Sequence, residues 1–370
     1  MSVHDLADYP WDAVVPYRES AAQHPQGIVD LSIGSPVDPT PEIVRVALAE
    51  ATDAHSYPQT VGTPELRQSI VDWYARRRGV PDLTVANVLP TIGSKEFVAL
   101  LPTLLGLGPG DIVVHPRVAY PTYEVGARVA GATPAPIDDP ADWPESARLI
   151  WINTPGNPDG RTWTVEELRA AVARARELGT VLASDECYAE LGWDGPWAEE
   201  PVPSVLDPRV TGGSRAGVLS VYSLSKQSNL AGYRAAFVAG CSRVIADLLT
   251  ARKHLGLMPP APVQHAMAVA LGDDEHVRAQ KELYRERRDA LRPALAAAGF
   301  RIDGSEAGLY LWATEGRDAW ESMERLAGLG ILAGPGPFYG AHSAEHVRLS
   351  LTAPTDRVLE AARRLREGSL

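Results

Sequence analysis

The chain has 370 residues, enough for two or three domains and a large buried core. Hydrophobic residues make up 45% and charged residues 22%, which excludes intrinsic disorder over most of the chain, and the net charge of −12 disfavours a nucleic-acid partner, which requires a basic face. Cysteine occurs only at Cys187 and Cys241, which excludes a disulfide scaffold and a four-cysteine zinc site and fits a reducing cytosol. Lysine occurs only at Lys95, Lys226, Lys253 and Lys281, so a reactive lysine has few candidates. The acidic start up to Asp12 has no apolar stretch, so no secretory signal is expected there. No apolar run approaches the roughly 18 residues of a spanning helix. A cytoplasmic protein with no membrane partner is expected.

In chain order, residues 1–40 are Pro-rich and irregular and read as an arm. From Pro41 to Arg78 two helical patterns follow, separated by a loop at 55–63. Short apolar runs then alternate with helical stretches: DIVVHP from Asp111, RLIWINTP from Arg148, TVLASDE from Thr180, GVLSVYSLSK from Gly217 and AAFVAG from Ala235. The helix between the second and third runs opens on a capping box, Thr164 with Glu167, and Gly179 ends it. Buried strands alternating with helices predict βαβ units and a mostly parallel sheet covered on both faces. Beyond about residue 255 a long helical stretch leads to the short strands RIDG, LYLWAT and HVRLSL and a last helix. The expected division is an arm at 1–40 that joins the smaller domain, a large domain at 41–255 and a small α+β domain at 256–370.

Chemistry gathers where the strands end. One run leads into Asn153 and the turn Asn157-Pro158-Asp159-Gly160, the next into Asp185-Glu186-Cys187-Tyr188, the third into Ser223-Leu224-Ser225-Lys226. Ligands of open parallel sheets bind outside the carboxyl ends of the strands. Gly93-Ser94-Lys95-Glu96 opens a further helix, whose free N–H groups favour an anion. Singly, each feature has an ordinary explanation: a solvated lysine, a helix cap, a turn. Their arrival together, in this order and at strand ends, has none.

The order Gly-Ser-Lys, Asn-Pro-x-Gly, Asp-x-x-Tyr, Ser-x-Ser-Lys and an arginine eight residues later resembles the fold-type I, class I/II aminotransferases, which use pyridoxal 5′-phosphate (PLP). The resemblance spans nearly the whole chain, through Tyr57-Pro58, Leu66-Arg67, Tyr120-Pro121-x-Tyr123, Gly308-x-Tyr310-Leu311-Trp312 and Val347-Arg348-Leu349-Ser350. It implies a large domain with a seven-stranded-type sheet between helices, a smaller α+β domain, and a homodimer with shared active sites. It implies Lys226 as the cofactor-carrying lysine and proton carrier. Asp185 is implied as the partner of the pyridine nitrogen, and Asn157 and Tyr188 as donors to the ring oxygen. Ser94, Lys95, Ser223 and Arg234 are implied as the phosphate site, and Tyr120 as the stacking ring. Arg348 is implied as the clamp on the substrate carboxylate, Gly34 as a backbone wall of the substrate site, and Tyr57 as a residue reaching the partner's phosphate.

Tyr9-Pro10-Trp11-Asp12, the run from Ser223 to Gly240, and Gly334-Pro335-Gly336-Pro337-Phe338-Tyr339-Gly340 resemble N-succinyldiaminopimelate aminotransferases of lysine biosynthesis. These imply N-succinyl-LL-2,6-diaminopimelate as amino donor and 2-oxoglutarate as acceptor. The alternatives are aspartate or LL-diaminopimelate as donor, or C–S bond lysis. A DNA-binding regulator that senses PLP is disfavoured by the acidic charge. For the far end of the substrate the cation candidates are Arg18, Lys95, Lys253 and His254. His342 and His346 are four apart but lack a third ligand and read as surface histidines. Cys187 reads as buried filler, and the arginine-rich run from Tyr284 as a solvated helix face.

Overall fold

The computed structural model of the protein describes residues 10–368; Tyr9 and the eight residues before it lie outside them. The arm holds helix α1 (Val15–Ala22) and the short strand β1 (Val29–Asp30). Helices α2 (Glu42–Glu50) and α3 (Pro64–Arg77) follow. Thr63 caps α3 by accepting the Leu66 N–H, and Pro64 takes the first helical position, where no N–H is needed.

The central unit runs β2 (Val88–Ile92), α4 (Gly93–Leu104), β3 (Ile112–His115), α5 (Thr122–Ala130), β4 (Thr133–Pro136), β5 (Ala147–Asn153), α6 (Val165–Glu177), β6 (Val181–Asp185), α7 (Pro208–Thr211), β7 (Val218–Ser223), α8 (Leu224–Gln227), β8 (Ala235–Gly240) and α9 (Ser242–Leu255). Seven strands stand in the order β2-β8-β7-β6-β5-β3-β4, with β8 antiparallel to both neighbours and the rest parallel. The five strands read from the sequence are there, and α6 opens on the Thr164–Glu167 capping box. The two that lacked a signal, β2 and β4, contain proline and form the two edges of the sheet. At an edge, the missing N–H of a proline costs no interior ladder bond.

Helix α10 (Ala261–Gly272) lies past the expected boundary at 255. Its Val263, Ala266 and Met267 nevertheless belong to the core built by Trp73, Tyr222 and Phe237, and it packs on α2 and α3. We therefore place the passage between the two cores at 273–274, after this apolar helix is covered. The second unit contains α11 (Glu275–Ala297), β9 (Arg301–Ile302), β10 (Tyr310–Thr314), α12 (Ala319–Gly328), β11 (Ile331–Leu332), β12 (Gly334–Pro335), β13 (His346–Ser350) and α13 (Thr355–Glu367). Its antiparallel sheet has the order β12-β13-β10-β9. The arm docks here: β1 pairs parallel with β11, Trp11 meets Phe338 edge-on at 5.4 Å, and Tyr17 stacks on Trp320 at 5.6 Å.

His342 is exposed, as expected, but the surface assignment fails for His346 and for part of the run from Tyr284. Within the run from Tyr284, Glu286 and Asp289 are exposed, but Tyr284, Arg287 and Arg288 are buried, with Arg287 paired to Asp38 and Arg288 to Asp194. Arginine patterning on a helix does not reveal acids that arrive from the arm and from the loop after β6. His346 and His342 share no helix, because His346 lies in β13. His346 stacks on Trp312 at 4.8 Å and its Nε2 meets Asp303 Oδ2 at 2.9 Å. No helix among the described residues is long and apolar enough to cross a membrane.

Candidate active site

Sheet register explains why residues distant in sequence share one end of the large sheet. Asn153 lies beside Asp185, Ser223 beside Ala236, and Ile92 beside Ala235. The ends of β5, β6 and β7, the start of β8 and the start of α4 therefore form one continuous edge.

At the α4 end of this edge lies an anion cradle. The residue before the helix, Ile92, gives no side-chain cap, so the N–H groups of the first turn, which includes Ser94 and Lys95, stay open. Arg234, in the left-handed region at φ 56°, packs on Gly93. A Cβ at Gly93 would lie 2.2 Å from Arg234 Nη2, so only glycine admits the guanidinium. Ser223 Oγ lies buried at the end of β7 and donates to Ser225 Oγ at 2.7 Å. The Lys95 side chain itself is exposed.

In the middle lies Asp185, almost fully buried. Tyr123 donates its hydroxyl to Oδ2 at 2.9 Å, and the Cys187 N–H donates to Oδ1 at 3.2 Å. No Lys or Arg among the described residues pairs with it, and burial raises its pKa. A buried carboxylate in that position gains from a cationic ligand atom. Tyr120 flanks this edge, its pKa pushed up to about 12 by burial, with its ring edge-on to Tyr123 at 5.9 Å. Cys187 is buried beside Asp185, and burial pushes its thiol up, which suits a filler rather than a nucleophile.

The third part is assembled from the arm and the second unit. Lys226, on the single turn α8, donates from Nζ to the Gly34 carbonyl, and burial lowers its pKa. Arg348, from β13, is 5% exposed; Nη1 donates to Asn157 Oδ1 at 2.9 Å and Nη2 to the Ser32 carbonyl at 2.8 Å. Its guanidinium lies over the Tyr310 ring at 3.9 Å and the Tyr339 ring at 4.9 Å, and no carboxylate among the described residues pairs with it. The Tyr188 and Tyr310 hydroxyls are 3.2 Å apart. Burial works against it, but the Arg348 and Lys226 charges bring the Tyr310 hydroxyl below its ordinary range. A Cβ on Gly34 would stand 2.1 Å from that hydroxyl, so glycine is needed there.

Of the residues expected from sequence, Lys226, Gly34, Arg348, Asn157 and Tyr188 are linked to one another through these contacts, directly or through Tyr310. Asp185, Tyr120, Ser223, Arg234 and the α4 start line the adjoining sheet edge. Tyr57 stands apart, 97% exposed. Among the distal candidates, Arg18 is paired with Asp30 at 2.8 Å, while Lys253 and His254 are exposed at the end of α9. Three participants were given no role from sequence: Tyr310, Tyr123 and Asn153, whose Oδ1 accepts the Asn157 N–H at 2.8 Å. Tyr123 and Tyr310 did stand inside the motifs Tyr120-Pro121-x-Tyr123 and Gly308-x-Tyr310, and that was the available signal.

The donor set fits PLP. The cradle of Arg234, Ser223 and the α4 N–H groups suits its phosphate, the uncompensated Asp185 suits its ring nitrogen, and Lys226 is an amine of lowered basicity. Comparison with known proteins agrees. Residues 26–365 match the family model for aminotransferase class I and II. The chain is 50% identical to the 4-dedimethylamino-4-oxo-anhydrotetracycline transaminase OxyQ of Streptomyces rimosus, over 98% of this chain and 100% of that one. It is 53% identical to a probable aminotransferase of Mycobacterium tuberculosis, over 97% of this chain and 85% of that one. Among solved structures, a probable N-succinyldiaminopimelate aminotransferase from Thermus thermophilus superimposes with a TM-score of 0.86 at 31% identity, covering 97% of this chain and 100% of that one. The strand-end site and these likenesses lead to one conclusion: the chain belongs to the class I and II aminotransferases, a PLP-dependent family.

Proposed function

We propose that the protein moves an amino group between N-succinyl-LL-2,6-diaminopimelate and 2-oxoglutarate, as a homodimer with shared active sites. The observation that carries the amino-acid reading is Arg348, a buried guanidinium held by Asn157 and a backbone carbonyl and lacking a carboxylate partner among the described residues. A buried unpaired cation is costly, and a substrate α-carboxylate relieves that cost through a bidentate pair. Both the donor and 2-oxoglutarate present such a group in turn.

When bound, PLP supplies an electron-withdrawing ring that stabilises negative charge at the substrate Cα. The residues then divide the work. Lys226 would hold the cofactor and, once released, its amine, less basic through burial, would carry the proton from the substrate Cα to the cofactor carbon C4′. Asp185 would keep the ring nitrogen protonated, and Tyr123 holds that carboxylate in line. Asn157 spends its Oδ1 on Arg348, which leaves Nδ2 to donate to the ring oxygen together with the Tyr188 hydroxyl. The Ser94 and Lys95 N–H groups, Ser223 and Arg234 would hold the phosphate, and Tyr120 would support the ring. Tyr57, exposed in the single chain, would reach the phosphate held by the partner subunit.

The likeness to the Thermus thermophilus protein supports the succinylated donor. A second reading rests on the full-length likeness to the Streptomyces rimosus transaminase, under which the acceptor is a polycyclic ketone. The test is a comparison of kcat/KM for the succinylated donor, LL-diaminopimelate and aspartate with 2-oxoglutarate, and for glutamate with a 4-oxo-anhydrotetracycline. The succinylated donor is expected to lead. A lead for aspartate or for the tetracyclic ketone overturns the assignment in favour of that substrate.

A further inference from the structure

One face of α11 carries polar side chains that all reach the turn following Lys226. His276, Gln280 and Tyr284 are spaced four apart, which stacks them on one side of a helix. His276 Nε2 lies 2.8 Å from Ser228 Oγ, and its Nδ1 lies 2.6 Å from Asp273 Oδ2. Asn229 Nδ2 donates to Gln280 Oε1 at 2.7 Å. The Tyr284 hydroxyl donates to the Lys226 backbone carbonyl at 3.2 Å. The same face grips the arm: Gln280 Nε2 and Arg287 Nη1 each donate to Asp38 Oδ2 at 2.8 Å. The arm in turn supplies Gly34, whose carbonyl accepts from Lys226 Nζ.

Ser228, His276 and Asp273 have the order of a hydrolytic triad. Ser228 is completely buried, so no ester reaches its hydroxyl, and hydrolysis is set aside. The turn does need outside support. Helix α8 is four residues long, a single turn that its own hydrogen bonds hold poorly. Asn229 sits at φ 53°, a left-handed conformation that costs a non-glycine residue about 1 kcal/mol or more.

We propose that His276, Gln280 and Tyr284 are positioning residues for the amino-transfer reaction. Through Ser228, Asn229 and the Lys226 carbonyl they direct the Lys226 side chain, and through Asp38 they hold the Gly34 carbonyl opposite it. The proposal rests on Lys226 as the reactive lysine. Its length scale matters, because misplacement of a reacting group by about 1 Å is enough to cost up to about a hundredfold in rate.

The test uses trace acetylation of the cofactor-free protein with acetic anhydride, read by peptide mass spectrometry. The other three lysines, Lys95, Lys253 and Lys281, serve as internal references. Ser228→Ala and Tyr284→Phe each remove one hydroxyl. Thr250→Ala removes an exposed one on α9 as a control. In both site variants the labelling of Lys226 relative to Lys253 is expected to change about threefold or more, and kcat of the loaded enzyme to fall about three- to tenfold with KM little changed. The control is expected to match the parent. An unchanged Lys226 ratio in both variants overturns the proposal. So does a parallel rise in all four labelling rates, which marks general loosening. Borohydride reduction of the loaded enzyme reports separately on whether Lys226 carries the cofactor, so failure of that reading is distinguishable.

Discussion

The sheet-edge half of the site combines bonds between near neighbours in the chain with middle-range contacts inside the large unit, such as Tyr123 to Asp185 across 62 positions, whereas the Arg348 half is closed by the arm and the small sheet across almost the whole chain. Cys187 bonds Asp185 two residues away, Ser223 bonds Ser225, and Arg234 bonds Ala231 three residues away. Arg348 reaches Ser32 across 316 positions and Asn157 across 191, and Lys226 reaches Gly34 across 192. The difference has a functional meaning. The first half stands on strand ends of a buried sheet and suits a resident cofactor. The second half depends on how the arm and the small sheet sit, and suits a substrate that enters and leaves. The two halves are therefore expected to fail separately when substituted.

The largest effect is expected at the junction of the halves. Lys226→Ala removes the amine that serves both, and transamination is expected to fall to background. Peptide mapping after borohydride reduction of the parent enzyme is expected to place the pyridoxyl group on Lys226; label on Lys95, Lys253 or Lys281 would break the scheme.

Next comes the sheet-edge half. Asp185→Asn keeps the shape and removes the charge. The cofactor is expected to stay bound while turnover falls by roughly three powers of ten, since the stabilisation of developing charge is lost. The check is a single-turnover half-reaction followed at the cofactor band, and a mild effect would mean that Asp185 is structural.

The distal half is expected to respond more weakly and in a different parameter. Arg348→Met is expected to lower kcat/KM by about a hundred- to a thousandfold, in line with the 2–5 kcal/mol cost of losing one partner of a buried charge pair. Cofactor affinity, measured by equilibrium dialysis, should stay within about threefold of the parent. An equal loss of cofactor affinity would show that the halves are not separable. Gly34→Ala sharpens the point, because its Cβ meets the Tyr310 hydroxyl. Overpacking of this kind costs about 1–3 kcal/mol, so a rise in substrate KM of about tenfold is expected with an unchanged cofactor Kd.

The smallest effect is expected far from both halves. Thr164→Ala breaks the capping box of α6, and about 1 kcal/mol of stability should be lost. Thermal unfolding should register a decrease of about 2 °C, with kinetics at either half unchanged; altered kinetics would show that the α6 cap is coupled to the site.

What was legible in the sequence follows the same division. Lys226, Asp185, Asn157 and Ser223 were legible as candidates because apolar strands announce where they end, and the candidates stand in the next few residues. The helices were legible from caps and periodicity, as Thr164 and Glu167 show. The strands β2 and β4 were not, because edge positions tolerate prolines that mask a strand pattern. Tyr310 and Tyr123 appeared only as letters in motifs. Their roles depend on which groups face them, and Arg348, Lys226 and Asp185 come from other elements.

The amino-acid order by itself determined the alternation of strands and helices, the α6 cap and the residues at the strand ends, because each rests on periodicity or on interactions within a few positions. Tertiary structure alone decided that Arg287 and Arg288 are buried, that α10 belongs with the first core, and that Gly34 faces Lys226. Those outcomes turn on a distant partner: an acid brought by the arm or a loop, an apolar face left open by α2 and α3, a carbonyl carried in from the arm. A charge or an apolar stripe announces that it needs a partner, but packing decides which one reaches it.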